Sequence, residues 1–144
     1  MILYFDTSAL VKLFSREHGS IKVRRLVLNP DNQIWVLELA LIELLCALFR
    51  KYRNNEIPQK DLELIQKAIQ DQFSLFNVIP FGSDIVKESK SLIMRFGKEN
   101  GLRTLDALHI AGFTRLYKPE WYFVSSDKTQ LSIINLLKMQ TIEI

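Results

Sequence analysis

The chain has one cysteine in 144 residues, Cys46, and two histidines, His18 and His109. A lone thiol forms no internal disulfide and suits a reducing compartment. Three such residues in all leave too few ligands for a Cys/His zinc site. Glycine is scarce, at five residues, and no Gly-rich phosphate loop follows any predicted strand, which argues against a nucleotide-cofactor enzyme. Long apolar runs are missing as well. Asp6 interrupts the N-terminal run after five residues, so no secretory signal is read there. The longest run, 34–49, is too short to span a bilayer and carries Glu38 and Glu43. A soluble, cytoplasmic protein with no membrane partner is expected. The net charge of +3 is too mild to announce nucleic-acid binding by itself.

What remains is a chain with 48% apolar and 24% charged residues, enough to bury a core, with no repeat or linker. One domain over residues 1–144 is expected. Residues 2–5 (ILYF) form an apolar run without alternation, which predicts a buried strand, and Asp6-Thr7-Ser8 then signals a helix start. Further strands are predicted at 34–36, 77–79, 121–124 and, as an edge, 141–144. Helices are predicted at 20–27, 38–53, 58–73, 83–96 and 104–117, with a last one opening at Asp127 and a loop over 97–101. Strands alternating with helices predict an α/β domain: a mostly parallel sheet of about five strands with helices on both faces. Function in such sheets gathers at the carboxyl ends of the strands, where Asp6 and Asp127 fall.

Asp6 and Asp127 each also suit a helix N-cap, and Asp106 suits the first turn of a helix. Glu43 is harder to explain locally. It is the one charge in 39–49 (LALIELLCALF), and its helical neighbours Leu39, Ala40, Cys46 and Ala47 offer no partner. Such a carboxylate must reach solvent, find a distant partner, protonate or bind a metal. Four converging carboxylates would repel unless cations sat among them, and all-oxygen ligands select Mg²⁺ or Mn²⁺. Phosphodiester hydrolysis is the natural chemistry of such a site. Setting the four aside leaves 19 basic residues against 12 acidic, a background that attracts a phosphate backbone. Lys12, Arg16, Lys22, Arg24, Arg25, Arg50, Lys51, Arg53 and Arg103 are the candidate contacts, each equally readable as a solvated side chain.

The opening 2–13 (ILYFDTSALVKL) resembles that of PIN domains, particularly VapC-type toxin ribonucleases. So does 99–111 (ENGLRTLDALHIA), while Ser125-Ser126-Asp127 is similar to the family's last acidic motif and Glu43 to its second. The resemblance covers essentially the whole chain, in order. It implies a PIN-like fold and a Mg²⁺- or Mn²⁺-dependent endoribonuclease, the toxin of a toxin–antitoxin pair. Asp6, Glu43, Asp106 and Asp127 take the family's metal-site positions, supported by Ser8 and by Ser125 or Ser126. Of the basic candidates above, Lys12 and Arg103 are the expected RNA contacts. It also implies a homodimer and a cognate VapB-type antitoxin. Leu37 departs from the pattern, since the family often has Ser or Thr before the Glu-bearing helix. His109 is read as a hydrogen-bonded structural histidine.

Other readings are open to the sequence. A catalytically silent PIN-like scaffold binding RNA or protein is the alternative. An aspartyl-phosphate phosphatase wants a second Asp where Ser8 stands. A metal-free ribonuclease would need His18 and His109 together.

Overall fold

The computed structural model describes residues 1–144. Its five strands are β1 (Ile2–Phe5), β2 (Gln33–Leu37), β3 (Asn77–Ile79), β4 (Trp121–Ser125) and β5 (Gln140–Glu143). All pair in parallel, in the order β3-β2-β1-β4-β5. Parallel strands need crossovers, and seven helices supply them: α1 (Thr7–Leu10), α2 (Ser20–Leu28), α3 (Leu39–Arg53), α4 (Gln59–Phe73), α5 (Ser83–Asn100), α6 (Thr104–Thr114) and α7 (Lys128–Leu136). A 3₁₀ turn, Val11–Leu13, extends α1.

The sheet is covered on both faces, and its three inner strands, β1, β2 and β4, are mostly apolar for that reason. Leu3, Phe5, Ile34, Val36 and Val124 point to one side, packing with α1 to α4. Tyr4, Leu37, Ile79, Trp121 and Phe123 point to the other, packing with α5, α6 and α7. Tyr4 stacks on Phe123 at 5.6 Å, and Phe113 of α6 tilts against Phe123 at 5.2 Å. A Cβ on Gly112 would lie 2.6 Å from Tyr4 Oη, so glycine lets α6 close onto β1.

Two local expectations change. The helix predicted to stop at Phe96 continues to Asn100, because an interior Gly97 costs only about 1 kcal/mol while Phe96 and Leu102 are buried. It ends at Gly101, whose φ of 67° is the left-handed C-terminal conformation glycine favours. Helix α6 stops at Thr114, not 117. At the Leu37 departure, α3 begins with Glu38 as an N-cap in helical conformation, without a side-chain cap. The Glu38 carboxylate instead accepts from Phe81 N at 2.9 Å, tying α3 to the segment after β3.

From β1 the chain passes to β2 on one side, while β4 pairs on the other. The strand order therefore reverses between β1 and β4, the crevice position in open α/β sheets. Asp6 leaves β1 there and Asp127 follows β4. No helix is long and apolar enough to cross a membrane.

Candidate active site

Asp6 is 1% exposed and does two jobs. Its Oδ1 caps α1, accepting from Ala9 N at 3.0 Å, and also accepts from Ser8 Oγ at 2.9 Å. Its Oδ2 accepts from Ser125 Oγ at 3.0 Å. The same hydroxyls stitch the two strand ends together: Ser126 N donates to Ser8 Oγ at 3.0 Å and Asp127 N to Ser125 Oγ at 2.9 Å. Each serine has one proton, already committed to Asp6, and each accepts a backbone N–H in return. Burial pushes the Asp6 carboxyl above its usual range, outweighing His109 and the hydrogen bonds from Ala9, Ser8 and Ser125.

Glu43 does not snorkel. Its side chain is 19% exposed, and its Oε2 accepts from His109 Nε2 at 2.6 Å and from Thr7 Oγ1 at 2.5 Å. Burial acts to raise its pKa, but the hydrogen bond and charge of His109, with Thr7, hold it below the ordinary glutamate value. A carboxylate only accepts, so His109 donates from Nε2; its Nδ1 is buried without a partner. The distant partner thus comes from α6, one turn beyond Asp106. Glu43 Oε1 carries no hydrogen bond.

Asp106, 8% exposed, accepts from Arg103 Nε at 3.2 Å and from Gln130 Nε2 at 3.1 Å. Asp127 caps α7 through Oδ1, which accepts from Gln130 N at 2.9 Å. Gln130, 3% exposed, therefore links the last two carboxylates.

All four carboxylates line one cleft of about 620 Å³, with Leu105 its only apolar wall. Thr7, Ser8, His109 and Gln130 line it too, and Arg50 and Arg103 stand at its rim. Lys12 does not: its Nζ donates to His18 O at 3.0 Å and pairs with Glu17. Ser125 bonds Asp6 directly, whereas Ser126 bonds only Ser8, through its N–H and its hydroxyl. A larger hollow of about 730 Å³ lies between residues 13–17 and α4, but its Glu17 and Glu56 are already neutralised by Lys51. His18 does not approach the cleft.

No three His, Cys, Asp or Glu side chains form a ready-made metal cage. The donor set nevertheless suits a hard cation. Mg²⁺ commonly takes only one or two protein carboxylates and keeps its remaining waters. Asp6 supplies a buried carboxylate whose ionised form has three neutral donors and no basic side chain bonded to it. The buried phenol of Tyr4 feels the same field: its pKa is raised by burial and then by the charges of Asp6 and Glu43.

Thr7, His109 and Gln130 are the site residues that sequence reasoning missed. Spacing held a usable signal for two of them, since His109 follows Asp106 by three positions and Gln130 follows Asp127 by three. Thr7 carried none beyond its place in a cap.

Solved structures of similar fold include a toxin–antitoxin complex from Klebsiella pneumoniae (19% identity, 99% of each chain covered, TM-score 0.65). FitAcB from Neisseria gonorrhoeae is similar at 14% identity, over 99% of this chain and 97% of that one, with TM-score 0.71. VapC20 from Mycobacterium tuberculosis, a sarcin-ricin-loop-cleaving toxin, is similar at 14% identity, over 90% and 93%, with TM-score 0.67. No curated protein sequence matches the chain significantly. The PIN domain family model matches residues 3–112, so this α/β chain, with its acidic cleft at the β1/β4 crevice, belongs to the PIN domain family.

Proposed function

We propose that the protein is a divalent-metal-dependent endoribonuclease, the toxin of a toxin–antitoxin pair acting in the cytoplasm. One observation carries this reading: four carboxylates from four separate elements line one polar cleft at the crevice of the sheet. Asp6, Glu43, Asp106 and Asp127 would hold the ion, Mg²⁺ or Mn²⁺. When bound, such an ion activates a water for in-line attack and stabilises charge on the leaving oxygen.

The chain's own residues do the rest. Ser8 and Ser125 hold both oxygens of Asp6, and Thr7 and His109 hold Oε2 of Glu43, which leaves Oε1 available to the cleft. Arg103, with its side chain 79% exposed at the rim, can leave Asp106 for a phosphate oxygen at little cost. A VapB-type antitoxin and a homodimer complete the proposal, in keeping with the toxin–antitoxin complexes among the similar structures.

A silent PIN-like scaffold is the second reading, favoured by the lack of a ready-made cage. RNA cleavage separates the two. Turnover with Mg²⁺ or Mn²⁺ should fall at least about 100-fold in EDTA and return on adding the ion back. Cleavage that persists in EDTA would sink the metal reading, and metal binding without cleavage of any RNA would support the scaffold.

A further inference from the structure

A second hollow, of about 510 Å³, opens from the acidic cleft and shares Thr7, Ser8, Glu43 and Arg50 with it. It runs along the C-terminal half of α3, past Cys46 and Ala47, to Lys51 and Arg53. Arg50 follows Glu43 by seven residues, two helical turns on the same face and roughly 10 Å along the axis. It therefore stands where the two hollows meet.

The three basic residues of this last turn differ in what they already do. Lys51 pairs with Glu56 at 3.2 Å and with Glu17 at 4.0 Å, so it belongs to the wall. Arg50 and Arg53 are exposed and form no ion pair. Both suit the negative end of the helix dipole. Dipole compensation, however, does not require Arg50 to line the carboxylate cleft, and it does.

We propose that this groove carries one arm of a single-stranded RNA substrate away from the carboxylates, with Arg50 on the phosphate beside the scissile one and Arg53 further out. This rests on the nuclease reading above. Two features favour a single strand. Asp6 lies at the cleft floor, 1% exposed, where a splayed strand reaches and the shallow face of a duplex does not. Between Glu43 and Arg50 the α3 side presents only the small side chains of Cys46 and Ala47, which leaves room for a ribose; Val11 and Glu17, the latter paired with Lys12 and Lys51, complete the lining. No aromatic residue lines the groove, so bases have no stacking platform and recognition there is of the backbone. The contribution of this arm is accordingly independent of base sequence.

The test is steady-state cleavage of two short single-stranded RNAs of different flanking sequence over a range of salt, with anisotropy for binding in EDTA. Arg50→Ala is expected to raise KM about tenfold on both RNAs and to flatten the salt slope by about 0.7, one phosphate's worth on a single strand. Arg53→Ala should do the same more weakly, and Arg50→Lys should restore most of the slope. Lys90→Ala, an exposed charge on α5 outside both hollows, controls for net charge and should match wild type. An Arg50→Ala protein equal to wild type in KM and slope overturns the groove while leaving the nuclease reading intact. So does a duplex cut as readily as a single strand with the same Arg50 dependence. A wild type that neither binds nor cuts RNA overturns both.

Discussion

Asp6→Asn is expected to lower RNA cleavage at least about 100-fold while leaving the metal-free protein as stable as wild type or more so. The first half follows from position. Outer partners of metal ligands already cost about 10- to 100-fold when removed, and Asp6 would be a ligand itself. The second half follows from its environment. Burial raises the Asp6 pKa in the folded state, so its favourable contribution is complete below the unfolded value and is lost as pH rises through the folded one. At neutral pH an ionised Asp6 therefore weighs against folding. Asparagine keeps an acceptor for Ala9 N and removes the charge, and the Ser125 hydroxyl can turn to accept from its amide. Thermal melts in EDTA from pH 4 to 8 should show wild type falling behind the variant as pH rises. Divalent ions should reverse that order by raising the Tm of wild type alone. A variant that melts well below wild type at neutral pH in EDTA would show that Asp6 is a structural cap first.

Glu43→Ala should lose comparable activity but behave in the opposite way toward stability. The ionised Glu43 is favoured in the folded protein, held by His109 and Thr7, so its contribution is present above the ordinary glutamate pKa and lost as pH falls through the depressed folded value. Removing it also leaves buried His109 Nε2 with only the weaker 3.2 Å contact to Thr7. The cost should be about 1.5–3 kcal/mol at neutral pH, the range for hydrogen bonds to a charged group. Chemical unfolding at pH 7 and pH 4 measures it, and the gap between the proteins should narrow at the lower pH. A gap that widens in acid would contradict the pairing. Asp6 and Glu43 thus share a cleft but differ in sign, one a strain on the fold and the other a support.

Much of this was readable in the chain because parallel sheets leave plain marks. Strand β1 and helix α3 announce themselves as apolar runs, and the strand-end rule points to Asp6 and Asp127 without any motif. The architecture, five parallel strands between two helical layers, follows from that alternation. Helix ends were less legible. Gly97 reads as a break, yet packing of Phe96 and Leu102 carries α5 through it, and tertiary burial is invisible locally. The site was legible as a set of acids and illegible as a network. The sequence reads His109 as a hydrogen-bonded structural histidine, and it is hydrogen-bonded, but to Glu43 across 66 residues of sequence. Thr7, inside a cap signal, meets Glu43 because α1 packs against α3, and Gln130, inside a helix, meets Asp106 because α7 packs against α6. Lys12 shows the converse, a plausible phosphate contact in sequence that folding ties to Glu17 and His18.

A crystal soaked in millimolar Mn²⁺ and measured at the manganese edge tests the proposed metal centre most directly. The expected result is an anomalous peak in the cleft, about 2.0–2.2 Å from an Asp6 oxygen and from at least one oxygen of Glu43, Asp106 or Asp127. Manganese bound only elsewhere on the molecule, or a cleft that stays without it, would contradict the proposed site.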